Sequence, residues 1–235
     1  MSSTEPPAPA FRSVELATAA DLPEIAETMQ AALIVDPFWT GMKGTISLEE
    51  EYKFIYDNLV PRIVKGTEYG ACEFWKVVDE NGKILGWAGF GKPIVLTEEQ
   101  KKAANSTYIF PPGRNEGLCD LFQNRILPAA AKNGFDPTRD FQRQNTMVRP
   151  EYQRQGIGRM LTKKLNEIAD AGGAATHVRA RPGASALFVQ MGYEILERID
   201  FDLGDYGAEG GKTALFVMRR PPGAKEEKGK KLDWS

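Results

Sequence analysis

A chain of 235 residues with 42% apolar and 26% charged residues has the make-up of a globular protein of one domain with an elaboration, able to bury a full core without disulfides or metals. A formal net charge of −2 excludes the global basic field that nucleic-acid binders use, and no apolar run approaches the ~20 residues that span a bilayer. The one histidine, His177, and two cysteines, Cys72 and Cys119, in no metal or redox spacing are too few for a zinc site and point to a reducing compartment, which places the chain in the cytoplasm with the nucleus also open.

Met1 to Ala10 is rich in Ser, Pro and Ala and lacks the basic and apolar regions of a signal peptide, so residues 1–10 read as a disordered tail. Residues 11–220 form the folded domain. Arg12 to Leu16 predicts a first strand. Thr18 to Asp21 offers capping oxygens to a helix with Leu22, Ile25, Ala26 and Met29 at helical spacing. A loop follows, Asp36-Pro37-Phe38-Trp39-Thr40-Gly41. Ser47 with Glu50 three residues on is a capping box, and predicts a helix to about Lys65, disturbed at Pro61.

Phe74 to Val78 and Ile84 to Phe90 predict an antiparallel strand pair around the turn Asp79-Glu80-Asn81-Gly82. Thr97 to Gln142 is too long for a plain connection. It predicts an insertion (97–142) with helices at Glu98 to Ala104 and Gly117 to Lys132, either a lid or substrate wall or a cover for a sheet edge. Gln142 to Val148 predicts a strand, Gly158 to Ala171 an amphipathic helix ended by Gly172-Gly173, and Thr176 to Ala180 another strand. A short helix from Ala184 to Met191 and closing strands at Tyr193 to Leu203 and Thr213 to Arg219 complete the domain. The order implies an α/β (α+β) layer with a mixed sheet. Residues 221–235, Pro-Pro-Gly followed by Lys and Glu, read as a flexible charged tail.

Between strand and helix lies Gln153-Arg154-Gln155-Gly156-Ile157-Gly158. Glycine lets backbone N–H groups approach an anion, and the helix N-terminus adds unpaired N–H groups and a partial positive charge. A dinucleotide fingerprint needs a third glycine where Leu161 stands, and a Walker loop needs Gly-Lys-Ser/Thr, so both nucleotide readings lose. Arg149, Arg154, Arg159, Lys163 and Lys164 cluster here against Glu151 alone, which suits a diphosphate. The two lysines read as a solvated helix face.

This turn, with the preceding Val148-Arg149-Pro150-Glu151-Tyr152, resembles the acyl-CoA signature Gln/Arg-x-x-Gly-x-Gly/Ala of the GNAT acetyltransferase superfamily. Downstream, Ala184-Ser185-Ala186-Leu187-Phe188-Val189-Gln190-Met191-Gly192-Tyr193 resembles the family's short helix ending in Gly-Phe or Gly-Tyr. The resemblance spans roughly Phe11 to Arg220 and is greatest to fungal GNAT proteins of unassigned substrate. It implies a mostly antiparallel central sheet flanked by helices, acetyl-CoA as co-substrate, an amine acceptor on a small molecule or peptide, and direct attack in a ternary complex. No metal, nucleic acid or membrane is implied, and the chain would be a monomer or homodimer. The backbone of Met147 and Val148 would pair with the pantetheine arm, and the Val148 N–H would polarise the thioester carbonyl. The N–H groups from Gln153 through Arg154, Gln155, Gly156 and Ile157 to Gly158, with Arg159 adjacent, would hold the pyrophosphate. Ser185 and Phe188 would flank the arm.

The chain departs from the family where protons move. Phe188 occupies the place of a proton-donating tyrosine, and Gln142 and Gln144 the places of bases. Water, or Glu73, His177, Tyr193 or Tyr206, could take over; alternatively the chain is a CoA-binding pseudoenzyme or an interaction module that uses the insertion. Asp36, Phe38 and Trp39 are candidate acceptor contacts, with core capping the alternative for the two aromatics. Neither cysteine sits in a nucleophile motif.

Overall fold

The computed structural model describes residues 13–105, 108–227 and 229; the tail expected at 1–10 lies outside them. A seven-stranded mixed sheet runs in the order β1-β2-β3-β4-β5-β7-β6. Its strands are β1 (Ser13–Leu16), β2 (Cys72–Val78), β3 (Ile84–Gly91), β4 (Phe141–Val148), β5 (Thr176–Ala180), β6 (Glu194–Asp202) and β7 (Lys212–Arg220). Every neighbouring pair is antiparallel except β4 and β5. The α/β class with a mixed sheet and a helical insertion, expected from the element order, is what forms, and the sheet is mostly antiparallel as the resemblance implied.

Two helices cover one face of the β1–β4 half. In α1 (Leu22–Leu33) the residues Leu22, Ile25, Ala26 and Leu33 recur at helical spacing and pack on Phe74, Ile84 and Trp87. The Trp87 indole N–H donates to the Ile25 carbonyl at 2.9 Å, which ties α1 to β3. α3 (Leu48–Val60) starts at the Ser47–Glu50 capping box, both of whose bonds form. Pro61, which cannot donate, turns its last part into a π-helical segment, Pro61–Gly66.

The other face carries α7 (Ile157–Ala171), whose Leu161, Leu165 and Ala169 pack on Leu85, Ala88, Phe90 and Phe141. Beside it α8 (Pro182–Gln190) buries Phe188 and Val189 against Val178, Phe216 and Met218.

Three expectations need correction. The segment expected as a loop after Asp36 is a helix, α2 (Pro37–Lys43). The Asp36 carboxylate accepts from the Phe38 and Trp39 N–H groups at 2.9 and 3.4 Å, Pro37 takes the first helical position, and Phe38 packs on Phe201. The insertion holds α4 (Glu98–Ala104), α5 (Glu116–Leu121), a π-helical turn Phe122–Ile126 and α6 (Ala129–Lys132); Pro128 breaks the single helix expected over Gly117 to Lys132. The start of the C-terminal tail is held in place. Arg220 makes a two-pronged pair with Asp170 at 2.6 and 2.9 Å, the Gly223 N–H donates to the same carboxylate, and the Glu227 N–H reaches the Gln190 carbonyl at 2.9 Å.

His177 belongs to the core. It is 1% exposed on β5, the Phe135 ring meets it edge-on, and its Nε2 lies 3.6 Å from an Asp140 oxygen. Burial holds its pKa below the ordinary 6.5, with Asp140 opposing and Arg219 assisting the shift. Below pH 6.5 the unfolded chain therefore binds a proton that the folded chain refuses. The stability this neutral imidazole contributes is complete above pH 6.5 and is lost as pH falls through the window below it. Urea unfolding between pH 7.5 and 5.5 is expected to show stability dropping by up to about 1.4 kcal/mol per pH unit, and His177→Gln to flatten that slope. An equal slope in the variant would show that other groups carry it.

Candidate active site

The site begins where β4 leaves β5. The two strands pair only at Phe141–Thr176 and Gln142–His177 and then diverge. The cause lies in β4: its pairing with β3 slips between Ala88 and Phe90, and Asn145 takes φ 100°. This bulge bends the strand. Gly89 stands opposite, where a Cβ would come within 3.0 Å of the Gln144 carbonyl oxygen, so a side chain there would push against the bulge.

Beyond the bulge the orientation of the main chain matters. The Arg149 N–H donates to the Leu85 carbonyl at 3.0 Å, so Arg149 faces β3. By strand alternation the main chain of Met147 also faces β3, and that of Val148 faces the gap. The expected oxyanion donor, the Val148 N–H, is therefore suitably directed. Met147 is spent on the sheet and can offer the cavity only its side chain.

The turn follows. Arg154 and Gly156 lie in the left-handed region, at φ 62° and 88°. For arginine this costs about 1 kcal/mol, a strain kept where backbone direction matters. Gln153 donates its side-chain amide to the Val148 carbonyl at 3.1 Å, and Gln155 to the Glu151 carbonyl at 3.0 Å, so these two side chains brace the turn. The first main-chain bond of α7 runs from the Met160 N–H to the Gly156 carbonyl. The N–H groups of Ile157, Gly158 and Arg159 thus have no acceptor within the helix, which makes this end an anion cradle.

The clustered cations separate once folded. Arg149 is tied to the Ile84 carbonyl at 2.9 Å and lies 3.6 and 3.7 Å from Glu24 and Glu27. Arg159 pairs with Glu226 at 2.8 Å and donates to Gln190. Lys164 sits over the Trp75 ring. Among the described residues Arg154 forms no ion pair. Arg159 therefore clamps α7, α8 and the C-terminal segment together, which the sequence reading did not anticipate.

Gap, turn and both helices open onto one cavity of about 1290 Å³ that passes through the sheet. This exceeds the 300–1,000 Å³ of a typical single-ligand site and suits two ligands end to end. One end is lined by the turn, α7 and α8; the other by α2, α3 and the insertion, including Asp36, Phe38, Trp39, Tyr108 and Phe122. The insertion is thus a wall of the cavity. Trp39 contributes to that wall, while Phe38 is 1% exposed and serves mainly as core; Asp36 is held by Arg181 at 3.2 Å.

Ser185 does not reach the cavity: it is fully buried, and its hydroxyl donates to the Pro182 carbonyl at 2.8 Å. Phe188 does line it. The other proton-transfer candidates fall away. Tyr193 is buried with its hydroxyl donating to Asn166, Glu73 points to the opposite face and pairs with Lys92, and Tyr206 packs beneath α5. Gln144 reaches the Cys72 sulfur, 3.5 Å away.

Two residues escaped the sequence reading. Arg143 is 3% exposed beside the Phe188 ring, bonds Thr146 through one nitrogen and lies against the Tyr193 side chain, and burial lowers its pKa with Tyr193 opposing. Its signal was a cation alternating with glutamines on the strand before the turn. Glu51 lines the cavity at its α2–α3 end, 6% exposed, and burial raises its pKa, with Arg114 and the Gln30 side chain opposing. It was hidden in Glu49-Glu50-Glu51, which reads as a solvated first turn. Burial also raises both thiols, Cys72 and, to about 11, Cys119, so neither is a thiolate at neutral pH.

A GNAT acetyltransferase-domain model matches residues 123–195, the stretch from the insertion through bulge, turn, α7, β5 and α8. No curated protein matches the sequence. Among solved structures, a histone acetyltransferase HPA2-related protein from Corynebacterium glutamicum superposes with a TM-score of 0.54 at 18% identity, covering 90% of this chain and 96% of its own. An N-acetyltransferase from Thermoplasma acidophilum in complex with coenzyme A gives 0.52 at 13%, covering 90% and 99%. The ribosomal-protein-S18-alanine N-acetyltransferase from Escherichia coli gives 0.50 at 15%, covering 94% and 100%. At such identities the structures speak for the fold alone, and the GNAT acetyltransferase-domain model for residues 123–195, the segment that builds the turn.

Proposed function

We propose that this protein transfers an acetyl group from acetyl-CoA to an amine by direct attack within a ternary complex. The observation that carries this reading is the open β4–β5 gap, with the Val148 N–H turned into it and the α7 N-terminus at its mouth. An extended pantetheine arm can pair with β4 where β5 is missing, and its pyrophosphate then meets the N–H groups of Ile157, Gly158 and Arg159 at the α7 N-terminus. Arg154 adds charge at the rim.

In the reaction the amine nitrogen bonds to the thioester carbonyl carbon, the carbon–sulfur bond breaks, and the pair of electrons leaves on sulfur. The Val148 N–H stabilises the oxyanion. Phe188 has no proton to give the departing thiolate. Arg143, buried against its ring, supplies positive potential on that side instead. Glu51 takes the amine proton through water, since its raised pKa makes it a better base than an ordinary carboxylate. The neutral thiols leave no role for a covalent acyl-enzyme. A CoA-binding module without catalysis would fit Phe188 and the two glutamines as well; release of CoA with any member of a broad amine panel excludes it.

Gly158→Glu is expected to abolish CoA binding in calorimetry, because it sets a carboxylate at the anion cradle, while Gly158→Ala should bind, since its Cβ meets only the flexible end of Leu187 at 3.3 Å. Wild-type affinity in the Glu variant would sink the site assignment. Cys72→Ser and Cys119→Ser should leave kcat/KM within about twofold; loss of turnover in either would point to a covalent route. Glu51→Gln should lower kcat/KM by about 10²–10⁴ and remove its rise with pH, with CoA affinity unchanged. A variant that keeps the wild-type pH profile would exclude Glu51 as base.

A further inference from the structure

The acceptor end of the cavity holds two guanidinium groups with no acid to match them. Arg62, in the π-helical segment after α3, donates one N–H to the Tyr108 hydroxyl at 2.7 Å. Arg179, on β5, donates one N–H to the Leu127 carbonyl. Both line the cavity, and Tyr108 lies within electrostatic reach of each. Neither forms an ion pair among the described residues.

The other cations on this wall are matched. Arg181 pairs with Asp36 at 3.2 Å, Lys92 with Glu73 at 2.8 Å, Lys101 with Glu98 at 2.7 Å, and Arg114 faces Glu51. Arg62 and Arg179 are therefore a deliberate excess. Two like charges gathered in a partly buried space repel: burial lowers the Arg179 pKa, Tyr108 opposes this, and Arg62 adds to the lowering. An anion between them replaces repulsion with charge-assisted hydrogen bonds, and each guanidinium has N–H groups left for it. Planar forks of this kind match a carboxylate geometrically. Next to them Phe54, Phe110 and Phe122 gather round Tyr108 as an apolar surface.

We propose that the acceptor is an amine that also carries a carboxylate, held by Arg62 and Arg179, with an apolar body on the adjoining aromatic wall. This rests on the acyltransferase reading of the cavity. It names the acceptor class: a free amino acid or a related amphoteric amine, rather than a simple alkylamine or polyamine.

The test uses the CoA-loaded protein and two product analogues of the same body, N-acetyl-phenylalanine and its carboxamide, titrated by calorimetry. The acid is expected to bind about tenfold or more tightly than the amide. Arg62→Gln and Arg179→Gln should each remove that preference while leaving CoA affinity and amide binding unchanged, and Arg62→Lys should restore part of it. Equal binding of acid and amide, binding of neither, or a preference untouched by both variants overturns the proposal. If Arg179→Gln fails to fold, Arg62→Gln decides alone. Failure to bind CoA counts against the acyltransferase reading instead, and the acid–amide comparison on the CoA-free protein then still judges the anion site.

Discussion

The parting of β4 from β5 is the constraint on which the rest of the molecule depends. A continuous sheet would satisfy the β4 main chain with a neighbouring strand, since a buried peptide group without a partner is costly. Here the bulge at Asn145 bends β4 away after two paired residues. Beyond it Met147 and Arg149 still face β3, while the Val148 N–H faces the cavity. The two halves of the sheet are held together by the pairs at Phe141 and Gln142 and by helices that brace across the gap. Arg159 and the Arg220–Asp170 pair lock α7, α8 and the C-terminal segment on one face. On the other, α2 and the insertion close over the β5–β7–β6 half.

That arrangement assigns different work to residues that look alike in the sequence. Five cations near the turn suggested one phosphate-binding cluster. In the fold Arg149 fastens the strand end to α1, Arg159 joins three elements, and Lys164 lies on Trp75. In the proposed reaction phosphate recognition falls chiefly to the backbone of the turn and α7, with Arg154 at the rim. Backbone recognition of this kind tolerates wide change in side chains, which accords with a shared fold at identities below 20%.

What could be read from the residues was the part governed by local rules. Glycines at a strand-to-helix turn, the capping box at Ser47 and helical spacing in α7 each depend on neighbours in sequence, and they gave the layer and the turn. What could not be read depends on partners distant in sequence. Ser185 lies one residue from cavity-lining positions, yet the helix phase turns it inward to Pro182. Glu51 is one of three consecutive glutamates, and only the packing of α1 and Arg114 against it tells it from the others. The α2 helix is too short for periodicity to show, and its Pro37 reads as a loop signal unless Asp36 is seen to cap it. The bulge at Asn145 has no glycine to announce it; it exists because β3 offers Gly89 opposite.

The uneven distribution of charge bears on how an amine could react here without an evident base on β4. The chain as a whole is slightly acidic, with a net charge of −2, yet four arginines that form no ion pair among the described residues line the cavity: Arg154 at the cofactor mouth, Arg143 at the gap, Arg62 and Arg179 at the acceptor end. In the proposed reaction this field acts in three places. It attracts the diphosphate, stabilises the negative charge that builds on the departing thiolate, and disfavours an ammonium ion on the acceptor. The last effect lowers the amine pKa and raises the share of nucleophilic free base, so less is asked of a proton acceptor. A carboxylate on the acceptor would be bound by the same field that depresses its ammonium group. Glutamines at the β4 positions are consistent with that electrostatic design: a carboxylate there would cancel part of the potential and stabilise the protonated amine.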